Sequence, residues 1–200
     1  YPNASDKEIT FTYAGDIYVV SIEGGLARRI TNSKGLEIFP RFSPDGKWIA
    51  FSGEYDGNRE VYIIPSIGGE PKRLTYQMDI PELPERMGPD KIVMQWSNDG
   101  KSIIYRGRYK EWNAWCGKLL RVNIDGGLPY EYPLPRVGFT SFSPDNKKIA
   151  YNRVFREFRT WKRYRGGQAD DIWIYDFETK QLENITNNPA QDLSLIHISE

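Results

Sequence analysis

The decapeptide Phe42-Ser-Pro-Asp-Gly-Lys-Trp-Ile-Ala-Phe51 decides how this chain is read, because it returns as Trp96-Ser-Asn-Asp-Gly-Lys-Ser-Ile-Ile-Tyr105 and again as Phe142-Ser-Pro-Asp-Asn-Lys-Lys-Ile-Ala-Tyr151. In the first copy Pro44 presets φ for the second position of a tight turn, and Asp45 accepts local backbone hydrogen bonds. Gly46 supplies the left-handed conformation that closes a hairpin. Asn146 stands where Gly46 and Gly100 stand, and asparagine tolerates positive φ better than most residues with a side chain. Asn98 replaces a proline that helps the turn without being required by it. After each turn come Ile49-Ala50-Phe51, Ile103-Ile104-Tyr105 and Ile149-Ala150-Tyr151. Apolar side chains on consecutive positions predict strands covered on both faces.

A second segment recurs between the decapeptides. Asp16-Ile-Tyr-Val-Val-Ser-Ile-Glu-Gly-Gly25 runs on to Ile30-Thr31, and Glu60-Val-Tyr-Ile-Ile-Pro-Ser-Ile-Gly-Gly69 runs on to Leu74-Thr75. Lys118-Leu-Leu-Arg-Val-Asn-Ile-Asp-Gly-Gly127 and Asp171-Ile-Trp-Ile-Tyr-Asp-Phe-Glu-Thr-Lys180 complete the set, the last without its glycine pair. Each unit therefore reads strand, Ser-Pro-Asp-Gly turn, strand, variable loop, strand, Gly-Gly turn, strand. Four short strands repeating every roughly 45–55 residues predict an all-β chain of four-stranded antiparallel propeller blades of the WD40-like kind. The blades fall at residues 1–31, 39–75, 94–133 and 139–186. In the first, the turn after Ser5 is two residues shorter and must be built differently. An array of four blades left open exposes apolar faces at both ends, so these blades are read as the front part of a larger ring.

The bulk numbers agree with a domain that has a core. Of 200 residues 39% are hydrophobic and 14% aromatic, and 27 basic residues balance 27 acidic ones. Zero net charge gives no global attraction to nucleic acid or to anionic membranes. No run of about 18 apolar residues is present to span a bilayer. The single cysteine, Cys116, excludes an internal disulfide framework and a multi-cysteine zinc site. The chain opens on Tyr1, so a preceding segment, with any export signal, is expected ahead of it. The tail, residues 193–200, fits no blade and reads like a translated sequencing adapter, which sets aside the only histidine, His197.

Without that histidine no Ser-His-Asp or Cys-His arrangement and no histidine-based metal site can be assembled. No catalytic residue, cofactor or metal is therefore assigned. Asp45, Asp99 and Asp145 hold equivalent turn positions, and Asp16, Glu60 and Asp171 hold equivalent strand starts, so their roles are read as structural. Glycine pairs at residues 24, 68 and 126 are read as turns. None lies between a strand and a helix, as a phosphate-binding loop requires.

The unequal loops are more informative. In an up-and-down blade the first and third connections share one face, while the second connection and the link to the next blade share the other. All three long insertions, residues 76–91, 106–117 and 153–170, fall on that second face. Elaborated loops on a rigid scaffold are where binding resides. Two of these loops interleave cations with aromatics, which nominates Arg106, Arg108, Trp112, Trp115, Trp161, Arg163, Tyr164 and Arg165 as contacts for peptide or partner. Arginine forks suit peptide carboxylates. A base-stacking surface is the alternative, disfavoured by the neutral charge of the domain, and aromatics packed on the blades with solvated cations are the plain structural reading.

The Ser-Pro-Asp-Gly repeats resemble those of TolB-type and prolyl-oligopeptidase-type propellers. A more specific resemblance lies in Thr160-Trp-Lys-Arg-Tyr-Arg-Gly-Gly-Gln-Ala-Asp-Asp-Ile-Trp-Ile-Tyr175, which is similar to the fourth blade of the N-terminal six-bladed propeller of tricorn proteases. Tyr1-Pro-Asn-Ala-Ser5 and Thr12-Tyr-Ala-Gly-Asp-Ile-Tyr-Val19 resemble the start of the same propeller. The resemblance covers residues 1–192, or four of six blades. It implies a large, hexameric serine peptidase that degrades oligopeptides in the cytoplasm, with a second propeller and peptidase domains downstream. It also implies a peptide gate or filter and a docking surface for partner aminopeptidases in the propeller itself. A stand-alone TolB-like binding propeller, exported to the periplasm, and the propeller of a prolyl-oligopeptidase-like enzyme are the alternatives. All three place any catalytic serine outside this chain.

Overall fold

The computed structural model describes residues 1–77, 90–108, 117–153, 169 and 171–186. Within them four antiparallel four-stranded sheets follow one another along the chain, each in simple up-and-down order. The first holds β1 (Asn3–Ala4), β2 (Glu8–Tyr13), β3 (Asp16–Ser21) and β4 (Arg28–Arg29). The second holds β5 (Glu37–Phe42), β6 (Trp48–Glu54), β7 (Arg59–Pro65) and β8 (Lys72–Arg73). The third holds β9 (Lys91–Trp96), β10 (Ser102–Gly107), β11 (Lys118–Asn123) and β12 (Tyr130–Glu131). The fourth holds β13 (Thr140–Phe142), β14 (Lys148–Tyr151), β15 (Trp173–Asp176) and β16 (Leu182–Asn184). No described residue is helical. This is the all-β propeller architecture expected from the repeats. The tail at residues 193–200 lies outside the described residues.

The repeated turn is a hydrogen-bonded unit built on serine and aspartate. Ser43 Oγ donates to Asp45 Oδ1 at 2.6 Å and accepts the Trp48 amide at 3.0 Å, while Asp45 Oδ1 also accepts the Lys47 amide at 3.1 Å. Ser97 with Asp99 and Ser143 with Asp145 repeat the arrangement. These contacts, the serine hydroxyl first, hold all three carboxyls below the usual aspartate range. Gly46, Gly100 and Asn146 close the turns at φ of +69°, +68° and +59°, so the asparagine substitution conserves the backbone and not the side chain. The first copy does differ. Ser5 bonds directly to Glu8, its amide donating to the Glu8 carbonyl at 2.8 Å and its hydroxyl accepting the Glu8 amide at 3.1 Å. In the fourth sheet Lys180 adopts φ +60° where the other copies use glycine.

The consecutive apolar residues divide between two interfaces because side chains alternate along a strand. In β6, Ile49 and Phe51 pack toward the first sheet with Ile17, Val19 and Ile64, while Ala50 joins Val93, Trp96 and Ile103 on the other side. In β10, Ile103 and Tyr105 face the second sheet, and Ile104 packs with Leu119, Ile149 and Tyr151 toward the fourth. Each inner sheet is thus buried between its neighbours, as near-continuous apolar runs require.

First strands of successive sheets lie side by side, β1 against β5, β5 against β9 and β9 against β13. Side chains at one repeat position stitch them together. Asn3 Oδ1 accepts the Phe42 amide at 2.8 Å, Arg41 Nε donates to the Met94 carbonyl at 2.9 Å, and Gln95 Oε1 accepts the Phe142 amide at 3.4 Å. A bulge bends the two middle strands at one place. Ile38 pairs with Ser52 and Arg41 with Ala50, so Phe39 and Pro40 together oppose Phe51, and the pairing of β9 with β10 shifts at the equivalent point. The missing proline N–H costs nothing in a bulge, where the extra residue leaves the ladder.

Candidate functional site

Because strands alternate in direction, the links between second and third strands, and between one sheet and the next, emerge on one face. That face carries the stems of the long insertions: Gln77 and Asp90, Arg108 and Gly117, and Arg153 and Asp171. Beneath each stem lies a polar contact between the third and fourth strands, built on the residue at the start of the third strand.

Glu60, fully buried at the start of β7, is the clearest case. Its carboxylate accepts from Thr75 Oγ1, pairs with Arg73 Nη2 at 3.0 Å and lies 3.4 Å from Lys91 Nζ at the start of β9. Thr75 Oγ1 also accepts the Val61 amide at 2.9 Å. In the first sheet Asp16 pairs with Arg29 at 2.6 Å and Thr31 Oγ1 accepts the Ile17 amide at 2.9 Å. In the fourth, Asn184 Nδ2 donates to Asp171 at 3.2 Å and Thr186 accepts the Ile172 amide at 2.7 Å. The third sheet reverses the charges: Lys118 stands at the acidic position and Glu131 opposite, 3.5 Å apart. The equivalence of Asp16, Glu60 and Asp171 is therefore one of structure, each carboxylate tying a third strand to a fourth.

The residue opening the next blade completes each network differently. Lys91 brings a cation to Glu60, whereas the equivalent Glu37 brings a second acid beside Asp16. Glu37 is fully buried and accepts from Thr31 at 2.9 Å and from Ser33. Burial pushes its carboxyl above the ordinary value of 4.5, and the nearby Asp16 charge adds to the rise, against the lowering effect of the Ser33, Thr31 and Tyr55 hydroxyls. Burial first, then the Glu37 charge, also pushes the Tyr55 phenol up. Neither Glu37 nor Tyr55 belongs to a repeated motif. The only signal for them in the sequence is the acid at residue 37 where the next copy has Lys91.

Of the eight residues nominated as contacts, the structure describes Arg106 and Arg108. Strand β10 runs on through Gly107, so both lie at or just beyond its end and not in a projecting loop. Pairing of Arg106 with Ile92 on one side and Leu119 on the other extends the strand. Arg106 is fully buried and its Nε donates to the Val137 carbonyl at 3.1 Å. Gly117 makes room for it: a Cβ there would lie 2.4 Å from Arg106 Nε and 2.6 Å from its Cγ. Arg108 is 3% exposed, pairs with Asp90, and sends its amide to the Asp90 carbonyl at 3.2 Å. These two arginines root the insertion that follows them and join it to the stem of the preceding one. Trp112, Trp115, Trp161, Arg163, Tyr164 and Arg165 lie outside the described residues.

Among the described residues no three His, Cys, Asp or Glu side chains converge as metal ligands, and no helix is long and apolar enough to cross a membrane.

Comparison with known proteins gives this architecture a family. Residues 1–199 match the tricorn protease N-terminal beta propeller domain. Tricorn protease homolog 1 of Streptomyces coelicolor is 30% identical over 174 residues, which make up 87% of this chain and 15% of that protein. A protein of Sulfurisphaera tokodaii, named for the N-terminal subunit of a tricorn-like protease, is 25% identical over 181 residues, 88% of this chain and 86% of its own. The crystal structure of the tricorn protease shares the fold with a TM-score of 0.82 at 23% identity, over 99% of this chain and 19% of that one. The chain thus spans less than a fifth of the Streptomyces relative and of the crystallised protease. Matched along nearly its whole length, it belongs to the tricorn protease N-terminal β-propeller family.

Proposed function

We propose that this chain is the non-catalytic front propeller of a tricorn-like serine peptidase, handling oligopeptides as a gate or filter beside an active site located elsewhere in the assembly. The observation that carries this reading is the one-sided construction. Three insertions are rooted on the same face, over buried anchors such as Glu60 with Lys91 and Arg108 with Asp90. A loop-bearing face on a stiff base suits selection and passage of extended chains, and its opposite face leaves the short turns free of elaboration. The same reading proposes further blades completing a ring with this chain, peptidase domains in the same protein or a companion subunit, hexameric assembly, docking of aminopeptidases, and a cytoplasmic setting.

The test compares peptide hydrolysis by the full-length protein with hydrolysis by a variant in which residues 109–116 are replaced by a short Gly-Ser linker. Chromogenic peptides of graded length are the substrates. A propeller that filters peptides changes kcat/KM for long substrates by several-fold and leaves the shortest unaffected. An identical length profile in both proteins overturns the proposal. Cleavage by the purified chain alone would also overturn it, since no hydrolytic activity is expected there.

A further inference from the structure

The opposite, tight-turn face carries a cleft of 370 Å³ where the second and third sheets meet. Its walls are Trp48, Trp96, Ile63 and Ile124, and its mouth is formed by the two Ser-x-Asp-Gly turns and the turn between β11 and β12. Small-molecule pockets span about 300–1,000 Å³, so this one suits a single extended side chain.

The two indoles differ in kind. Trp96 is buried and its Nε1 donates to the Arg41 carbonyl at 2.8 Å, which fixes the ring as part of the wall. Trp48 is 38% exposed. The repeat does not demand an aromatic there, since the same position is Ser102 in the third sheet and Lys148 in the fourth. An exposed indole continuous with a concave apolar wall, at a position that is otherwise polar, offers a ring face to a ligand entering the cleft.

The mouth is acidic. Asp45, Asp99 and Asp125 stand around it with Lys72. Asp45 and Asp99 use Oδ1 in their turns and leave Oδ2 outside them. Lys47 lies 3.6 Å from Asp45 Oδ2, and Lys72 donates to the Ile124 carbonyl at 2.7 Å across the two sheets. Asp99 and Asp125 remain as the carboxylates best placed to meet a ligand.

We propose that this cleft binds the cationic side chain of a basic peptide, an arginine or a lysine, seated against the Trp48 indole with its charge toward Asp99 and Asp125. The face of an indole carries negative potential and attracts a cation lying over it. Arginine fits better than lysine, because its planar group stacks on the ring while its N–H groups reach a carboxylate. The site is on the other face of the disc from the insertions, and it does not depend on the gate reading.

The test is a titration of the isotope-labelled chain with triarginine, with triglutamate and triglycine at equal ionic strength as controls. The indole N–H signal of Trp48, assigned by its loss in Trp48→Ala, is expected to move saturably with triarginine and to stay in place with the controls. Trp48→Ala is expected to weaken binding about three- to thirty-fold, and Asp125→Asn to weaken it as well. Both side chains are exposed and neither holds a turn together, and an unchanged amide spectrum verifies that each variant is folded. A Trp48 signal that does not respond to millimolar triarginine overturns the proposal. So does an equal response to triglutamate, or an affinity unchanged in both variants.

Discussion

Replacing Glu60 by methionine tests whether the blades are joined by buried charge. The Glu60 side chain is fully buried, and that of Lys91 is only 4% exposed, with 3.4 Å between Nζ and Oε2. Arg73, at 3.0 Å from the other oxygen, is more exposed and already touches Asp56 at 3.0 Å, so it can turn to that partner. Lys91 keeps its bond to the Gln77 carbonyl at 3.1 Å but loses the buried Glu60 carboxylate. Removing one member of a buried pair costs about 3–5 kcal/mol, because the remaining buried charge loses that interaction while staying desolvated. For a chain of this size each kcal/mol lowers Tm by about 2–4 °C, so Glu60→Met is expected to melt roughly 6–20 °C lower. Glu131→Ala provides the control. Its pair with Lys118 occupies the same repeat position but is 24% and 42% exposed, and exposed pairs contribute about 0–1 kcal/mol. Adding Lys91→Met to Glu60→Met replaces the pair by apolar side chains and is expected to restore most of the loss. Thermal and urea unfolding at one pH, followed by circular dichroism, measure the parent chain and the three variants. The reasoning is refuted if Glu60→Met and Glu131→Ala cost the same, or if the double variant is less stable than Glu60→Met alone.

Three further outcomes follow from other contacts. Gly117→Ala places a methyl group 2.4 Å from the Nε of a fully buried arginine and is expected to cost about 1–3 kcal/mol in urea unfolding through overpacking; a neutral result would mean that Arg106 is free to move. The Glu37 carboxyl is raised in the folded state, so folding binds a proton more tightly than the unfolded chain does. Its unfavourable effect is absent below the ordinary value of 4.5, grows as pH rises to the folded-state value, and is constant above it. Glu37→Gln is therefore expected to flatten the decline in stability on that side and to unfold at higher urea near neutral pH, and an unaltered pH profile would contradict the assignment. Lys180→Gly relieves a left-handed residue at φ +60° and is expected to raise stability by up to about 1 kcal/mol, read as a shift in the urea midpoint with unchanged m-value.

Much of the frame is local, which is why it could be read along the chain. The Ser-Pro-Asp-Gly turn closes through bonds between residues five apart or fewer, such as Ser43 with Asp45 and Trp48. Its geometry is therefore written in one short peptide, and three copies of it announce a repeat. Asn146 at φ +59° obeys the same rule that selected glycine in the other copies. Runs such as Ile49-Ala50-Phe51 also foretold burial on two faces, since alternation along a strand leaves no other way to cover all three. The alternating directions of the strands were enough to put the insertions on one face.

What sits at that face was decided by contacts across the blades. Arg106 and Arg108 look like the first cations of a surface loop, yet pairing with β9 and β11 extends β10 and buries both. Asp16, Glu60 and Asp171 look equivalent in sequence, but Lys91 approaches one and Glu37 another, so like positions carry unlike charge environments. Trp48 and Trp96 are separated by nearly a full repeat, and only the packing of one sheet on the next makes them two walls of the same cleft. Turn chemistry and strand periodicity are properties of a few neighbouring residues and can be read from sequence alone. Burial of a charge and the shape of a cleft are properties of pairs of blades, set by side chains roughly fifty residues apart, and they exist only once those blades are stacked.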